Sequence, residues 1–571
     1  MADERMNWLT LAGKFAADGD LKGMRACARE LWAQKETAMD GVALMAEAAL
    51  YAGERDEAAT LVSEVLKVEP RHLRARFVKA GIASAEFRLD EALPLLRAVA
   101  MEAERGRAAL DPADPYGQVL TRLLQQAYGW LADGLYLAAM PEEAADALLS
   151  CSRVQETAEA EAGIYTKYLF MRNYREQAPL AARREAEGYA AMLAATPYAH
   201  KGIKKLPEKK LKIGYISPDF RQHAVASFLA PLLKNFDGSR FSVYAYATGR
   251  QDAVTKRLRA SPVSWRDLRG RSPRTAARLI AEDHIDILFD LSGHSQDNAL
   301  PIMAHRPAPV QISGIGYMNT TGLSCIDYFL SDETCLPAGD GASAGFTEKI
   351  LRLPHSHLCY QPGAVREMPT AGMEAPVLTN GYVTFGSFNN IAKVTDEVLL
   401  LWRGILEQVR GSRLVIKGKM CSIPSGRAFL QARLKKLSFD LARVELRPYS
   451  PDYLEQYRDI DIALDTMPYN GGLTTCEALY MGVPVISLRG RTHGARFGAS
   501  ILKNAGVQEL VVENDINYVR RAVQLGSSPE LIGAYHSGLR ANLLKSDLMN
   551  AKQYMAELEA GYRRIWQDFC L

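Results

Sequence analysis

The sequence predicts an α/β protein: two doubly wound, parallel-sheet domains behind an N-terminal all-α superhelix. Three observations carry this. A short motif recurs at a fixed interval in the first two hundred residues. Strand–helix alternation begins at Leu211. A segment rich in Pro, Gly, Ala and Met at 361–380 interrupts that alternation, which then starts afresh.

The segment up to Ala199 is rich in Ala, Leu, Glu and Arg, with apolar residues at helical spacing, as in Ala58, Leu61, Val62, Val65 and Leu66. GERDEA (53–58) is echoed by FRLDEA (87–92), placing Ala58 and Ala92 34 residues apart. MPEEA (140–144) and NYREQA (173–178) repeat the interval, and GDLKG (19–23) is a weaker copy. A 34-residue period is the tetratricopeptide length, in which a small residue lets two helices approach and acidic residues open the second helix. The stretch Met101 to Leu135 is out of phase and reads as a long or irregular helix pair. A plain helical bundle is the alternative. A repeat array presents a concave face suited to a peptide or protein. The arm is assigned to 1–200.

From Leu211 the expected strands are 212–217, 241–247, 285–291 and 310–315, with a helix at 274–282. After the break they are 383–386, 413–416, 444–446, 460–464, 484–488 and 510–512. The domains are set at 205–372 and 376–571. Ligands of such sheets bind at the carboxyl ends of the strands, so the cleft between the domains is the expected site.

Composition removes other classes. The chain has 571 residues, 69 basic and 66 acidic, for a net charge of +3, which gives no push toward nucleic acid or a membrane surface. No apolar run is long enough for a membrane span, and the charged start lacks the order of a signal peptide, so a cytoplasmic protein is expected. The eight cysteines form no CxxC pair, and no His cluster has metal-ligand spacing. Neither a disulfide framework nor a metal is expected.

Four clusters fall at strand ends. SPDFRQH (217–223) brings a carboxylate, Asp219, and an imidazole, His223, suited to proton transfer; Asp219 is equally placed to cap the next helix. LSGHSQDN (291–298), with His294, reads as a ligand loop or an ordinary turn, and the Gly- and Thr-rich run from Gly316 and Tyr317 to Gly322 lies close after it. SFNNIAKVT (387–395) supplies Lys393, which can neutralise a diphosphate leaving group; Lys417 and Lys419 could serve the same charge, and a solvated surface lysine is the plainer alternative. DTMPYNGGLTTCEALYMGVP (465–484) joins a strand to a helix through Gly471 and Gly472, with Thr474 and Thr475 at the helix start, a natural phosphate seat. Glu477 is expected inside the first helical turn, within reach of ribose or sugar hydroxyls. No GxxxxGK[ST] sequence is present, so this is not a P-loop.

Together LKIGYISPDFRQHAVASF (211–228), DLSGHSQDN (290–298), HRPAPVQISGIGYMNTTGL (305–323), SFNNIAKVT (387–395) and LDTMPYNGGLTTCEALYMGVPV (464–485) resemble the O-GlcNAc transferase and SPINDLY family of protein O-glycosyltransferases. The resemblance implies a GT-B fold of two Rossmann-like domains with a TPR-like arm. It implies a metal-independent, inverting transfer of a sugar to Ser or Thr of a protein held by the arm, with no cofactor beyond the nucleotide-sugar co-substrate. His223 matches the family's active-site His, Lys393 its diphosphate-binding Lys, and Asn390 a neighbouring donor contact. Gly471, Gly472, Thr474, Thr475 and Glu477 match the phosphate- and ribose-binding turn, while Asp219, His294 and Tyr317 fall on the acceptor side. Two positions depart from the O-GlcNAc transferases: Gly472-Leu473 stands where they carry a His, and Glu477 where they carry an Asp. The CEALYMGVPV wording, the FNN-IAK loop and the closing YRRIWQDFC (562–570) resemble the SPINDLY branch. UDP-GlcNAc and GDP-fucose are both implied as donors, and flagellin is among the acceptors of related bacterial proteins with short arms. Repeat arms in this family can form homodimers, though no residue here shows it. A repeat scaffold with a degenerate transferase domain is the alternative to an enzyme.

Overall fold

A computed structural model describes residues 2–111, 114–200, 202–369 and 374–571. It divides into two compact units. The first holds the chain through Tyr168 together with Gly418–Ser438; the second holds Leu169–Lys417 and Phe439–Leu571.

The helical unit is built of helix–turn–helix pairs. Ala2–Ala17 is followed by Leu21–Trp32, Ala38–Ala52 by Arg55–Val68, and Leu73–Ala85 by Leu89–Ala108. The repeat is visible in the backbone. Gly19, Gly53 and Phe87 each take a left-handed conformation in the turn, at φ of 71°, 83° and 55°, and end the first helix of their pair. Ala58, Ala92 and Ala144 are fully buried, as close helix approach requires. Ala178 differs: it is exposed and stands just before the helix Pro179–Ala190. The out-of-phase stretch, Met101 to Leu135, takes in the end of the long helix Leu89–Ala108 and most of the long helix Pro115–Leu137. Trp130 on the second stacks on Phe77 at 4.3 Å, and only a glycine at 81 leaves room, since a Cβ there would lie 2.4 Å from the indole.

In the second unit the first sheet comprises β1 (Leu211–Ser217), β2 (Phe241–Ala247), β3 (Ser264–Asp267), β4 (Ile287–Asp290), β5 (Val310–Ser313), β6 (Tyr328–Asp332) and β7 (Lys349–Leu353). All are parallel, in the order β3-β2-β1-β4-β5-β6-β7. The second sheet comprises β8 (Thr384–Ser387), β9 (Arg413–Lys417), β10 (Val444–Arg447), β11 (Ile462–Leu464), β12 (Val485–Leu488) and β13 (Val511–Val512), again parallel and in the order β10-β9-β8-β11-β12-β13. Both sheets follow the Rossmann order, and β1/β4 and β8/β11 are their switch points. The strands β3, β6 and β7 were not foreseen: β3 and β7 are edge strands, and β3 carries the polar sequence SWRD with its side chains largely exposed.

Two boundaries differ from the sequence reading. The helical arm was set at 1–200, yet residues from Leu169 fold with the α/β unit, where the Tyr189 ring packs edge-on against His294 at 4.7 Å. The C-terminal domain was set at 376–571, yet the last helix, Ala551–Cys570, packs on the first sheet. Tyr562 meets the Tyr215 hydroxyl at 3.2 Å, and the Trp566 indole N–H donates to the Leu206 carbonyl at 3.0 Å. In the break, 370–373 lie outside the described residues. Beyond them the Asp461 carboxylate accepts the N–H groups of Val377 and Thr384, both at 2.8 Å.

Candidate functional site

The site residues of the second lobe leave from the switch point between β8 and β11. After β11, Asp465 is buried and organises the glycine turn. Its Oδ1 accepts the N–H groups of Thr466 at 2.8 Å and Gly471 at 2.7 Å, and its Oδ2 accepts the Ser487 hydroxyl at 2.6 Å. Burial raises this carboxyl to about 6, against the pull of its donors and of Lys393. A Cβ on Gly471 would lie 2.5 Å from the Thr474 hydroxyl and 2.6 Å from that of Thr475, so the turn tolerates only glycine. Gly472 opens the helix Leu473–Tyr480 without any side-chain cap. The Thr475 hydroxyl donates back to the Gly471 carbonyl at 3.0 Å. The helix start therefore presents a positive dipole end on a rigid, glycine-lined turn.

Lys393 ends a short 3₁₀ turn after β8. Its ammonium donates to the Asn470 carbonyl at 2.8 Å and lies 3.5 Å from the centre of the Tyr469 ring. Burial lowers its pKa to about 8, with Asp465 opposing the shift. The charge thus sits at the glycine turn, ready to meet an anion. Asn390, exposed, caps the 3₁₀ turn by accepting the Ala392 N–H at 3.2 Å. Its neighbour Asn389 is buried and accepts the Thr474 hydroxyl at 2.9 Å, which links the two loops. Lys417 is buried, with its ammonium held by the Pro448 carbonyl and by Gln456.

Glu477 stands in the second turn of its helix, not the first, which holds no acidic residue. It is 2% exposed. The Tyr453 hydroxyl reaches both its oxygens at 2.6 Å, and Arg366 approaches to 3.9 Å. Burial raises its carboxyl to about 7, with Tyr453 and Arg366 opposing. The helix register, which depends on where Gly472 ends the turn, accounts for the shift from the expected position.

In the first lobe, Asp219 and His223 follow β1. The Asp219 carboxylate is buried and lies 3.4 Å from His223 Nδ1 and 3.3 Å from the Arg221 guanidinium. Asp219 does not cap the next helix, which starts after Val225. The His223 side chain remains 37% exposed. Burial holds the His223 pKa below the ordinary value, and raises that of Asp219, while each charge supports the other. The Val225 N–H donates to His223 Nδ1 at 3.4 Å, and the Asp219 carboxylate lies beside the same edge of the ring.

His294 and Tyr317 are packed within the same unit. His294 lies between the rings of Tyr189 and Tyr317, at 4.7 and 5.3 Å, and its Nε2 bonds the Thr321 carbonyl at 2.9 Å. Burial lowers its pKa to about 4, so the ring is neutral. The Tyr317 hydroxyl accepts from the Asn173 amide at 3.2 Å. Phe170 packs 6.3 Å from Tyr317 and 6.5 Å from Tyr469, so rings from both lobes form a continuous wall behind Lys393.

The structure thus gathers Lys393, Gly471, Gly472, Thr474 and Thr475 in one place, and Asp219 and His223 in another. Asp465, Tyr469 and Asn389, which contact the glycine turn or Lys393, are not among the candidates the sequence offered. Asp465 and Tyr469 stand inside the quoted glycine motif and Asn389 beside Asn390, so only their directions were hidden.

The profile of glycosyl transferase family 41 matches residues 181–368 and 363–558. A probable UDP-N-acetylglucosamine–peptide N-acetylglucosaminyltransferase SPINDLY from Petunia hybrida is 41% identical over 376 residues, which are 64% of this chain and 40% of that protein. Its namesake from Arabidopsis thaliana is 40% identical over the same shares. The chain spans about 40% of the length of these relatives. Among solved structures, a mutant O-GlcNAc transferase from Thermobaculum terrenum is 30% identical with a TM-score of 0.72, covering 94% of this chain and 99% of that one.

Proposed function

Since the chain belongs to glycosyl transferase family 41, we propose that it transfers N-acetylglucosamine from UDP-GlcNAc to Ser or Thr hydroxyls of a protein that its helical repeats bind. The observation that carries this reading is the Lys393 ammonium set at the uncapped, glycine-lined start of the helix Leu473–Tyr480. A nucleoside diphosphate is the leaving group this seat suits, because its charge grows as the sugar departs. In this reading His223, with Asp219 beside it, takes the acceptor hydroxyl proton. The oxygen attacks the anomeric carbon, the bond to the diphosphate breaks, and the configuration inverts. Each step uses a protein side chain, with no metal or cofactor in this reading. The acceptor is a protein because repeat arrays characteristically bind extended chains. The printed names of the SPINDLY relatives support UDP-GlcNAc as donor.

The test is a thermal-shift panel of nucleotide sugars on the purified protein. UDP-GlcNAc should raise Tm in a concentration-dependent way, since a ligand that binds only the native state stabilises it by mass action. A shift with GDP-fucose alone would reassign the donor. No shift with any member would favour a repeat scaffold with an inactive transferase fold.

A further inference from the structure

The fold assembles one group of metal-ligating side chains that sequence spacing does not reveal. Cys335 follows β6, His357 follows β7, and His493 lies after β12 on the other lobe; one ligand atom from each lies within 4.8 Å of the others. All three side chains are buried, at 0%, 0% and 3% exposure. His357 Nε2 and both ring nitrogens of His493 have no hydrogen-bond partner. A backbone group of Met318 also approaches the His493 ring. Buried polar atoms are normally satisfied, so the His357 and His493 nitrogens that approach Cys335 Sγ call for a missing partner.

The surroundings are those of a ligand site. The Asp332 carboxylate accepts the Cys335 N–H at 2.7 Å, the His357 N–H at 3.1 Å and the Ser500 hydroxyl at 2.7 Å, and it also engages His357 Nδ1. A carboxylate on Nδ1 fixes the ring and leaves Nε2 with the lone pair, the arrangement found behind metal-bound imidazoles. Phe329 and Phe497 pack edge-on against His493 at 5.3 and 5.2 Å, and His357 lies tilted to it at 4.9 Å, so rings flank the group.

We propose that Cys335, His357 and His493 bind a zinc(II) ion that ties the ends of β6 and β7 to the 493 loop of the second lobe. One thiolate and two imidazoles form a borderline-soft donor set that suits zinc, not magnesium or calcium. Metal–ligand bonds of about 2.0–2.3 Å require the ligand atoms to close in by roughly an ångström. The Cys335 Sγ–H, which now faces the Arg496 carbonyl at 3.5 Å, gives its proton to solvent as the zinc–sulfur bond forms; no electron is transferred. Three protein ligands leave one tetrahedral position for water. This inference is independent of the sugar donor.

Cobalt(II), followed by zinc(II), tests it on chelator-treated full-length protein. One equivalent of cobalt should produce tetrahedral visible bands and a thiolate charge-transfer band in the near ultraviolet. One equivalent of zinc should erase both and raise Tm. Cys335→Ser should lose the charge-transfer band, and His493→Gln should weaken cobalt binding by at least about tenfold. A Cys325→Ser/Cys570→Ser variant, lacking the two less buried thiols, should keep the band. Near-ultraviolet circular dichroism confirms that each variant is folded, and His493→Gln carries the test if Cys335→Ser is not. Absence of a thiolate band, its survival in folded Cys335→Ser, or undiminished affinity in His493→Gln would each overturn the proposal.

Discussion

Asp290 and Asp465 hold equivalent places in the two sheets, Asp290 ending β4 and Asp465 following β11. Each accepts a glycine N–H of its own loop, Gly293 at 2.8 Å and Gly471 at 2.7 Å. Each also accepts a serine hydroxyl from the next strand, Ser313 at 2.8 Å and Ser487 at 2.6 Å. Burial raises both carboxyls. The same device therefore shapes the loop after the fourth strand in both lobes. Asp465→Asn should weaken UDP binding by about tenfold and cost about 1–3 kcal/mol of stability, because an amide cannot accept from three donors. Asp290→Asn should lower Tm while leaving UDP affinity unchanged. Calorimetry and thermal unfolding separate the two.

Lys393 carries the charge of the proposed donor seat. Lys393→Ala should lower kcat by about a hundred- to a thousand-fold, as removal of a transition-state charge partner does. The unfolding transition should remain cooperative, because the substitution also removes a partly buried charge. Steady-state assays beside thermal unfolding check this.

The pH dependence has a definite sign. Burial holds Lys393 at about 8, below its ordinary value, so it is charged at neutral pH and loses its proton as pH rises through 8. UDP affinity should fall across that range, and Lys393→Arg, which stays protonated, should lose this dependence. Isothermal titration at pH 7 to 9.5 reads it directly.

Two glycines separate the needs of the repeat arm from those of the site. Gly53 has a φ of 83° and open space around it, so Gly53→Ala should cost about 1–2 kcal/mol through backbone strain alone and leave donor binding intact. Gly471→Ala meets the hydroxyls of Thr474 and Thr475 and should abolish UDP binding.

Much of this architecture was readable from residue order. The 34-residue echo located the turns at Gly53 and Phe87, and apolar runs located ten of the strands, because local pattern and fold agree there. The strand SWRD escaped since an exposed edge strand has no apolar signature. The return of Ala551–Cys570 to the first sheet, and the grouping of Gly418–Ser438 with the helices, depend on long-range packing that no local period reports. At the site, the glycine turn and Lys393 were legible because their chemistry lies in a short stretch. Asn389 and Asp465 were not, since alternation of side-chain direction decides which of Asn389 and Asn390 faces the turn. Cys335, His357 and His493 lie far apart in sequence and meet only through the tertiary fold.

The most direct measurement is intact-protein and peptide mass spectrometry of a soluble protein extract incubated with the purified chain and isotopically labelled UDP-GlcNAc. The account predicts labelled N-acetylhexosamine on Ser or Thr of acceptor proteins with the wild-type chain and none with Lys393→Ala. Equal labelling by both, or labelling only when GDP-fucose replaces UDP-GlcNAc, would contradict it.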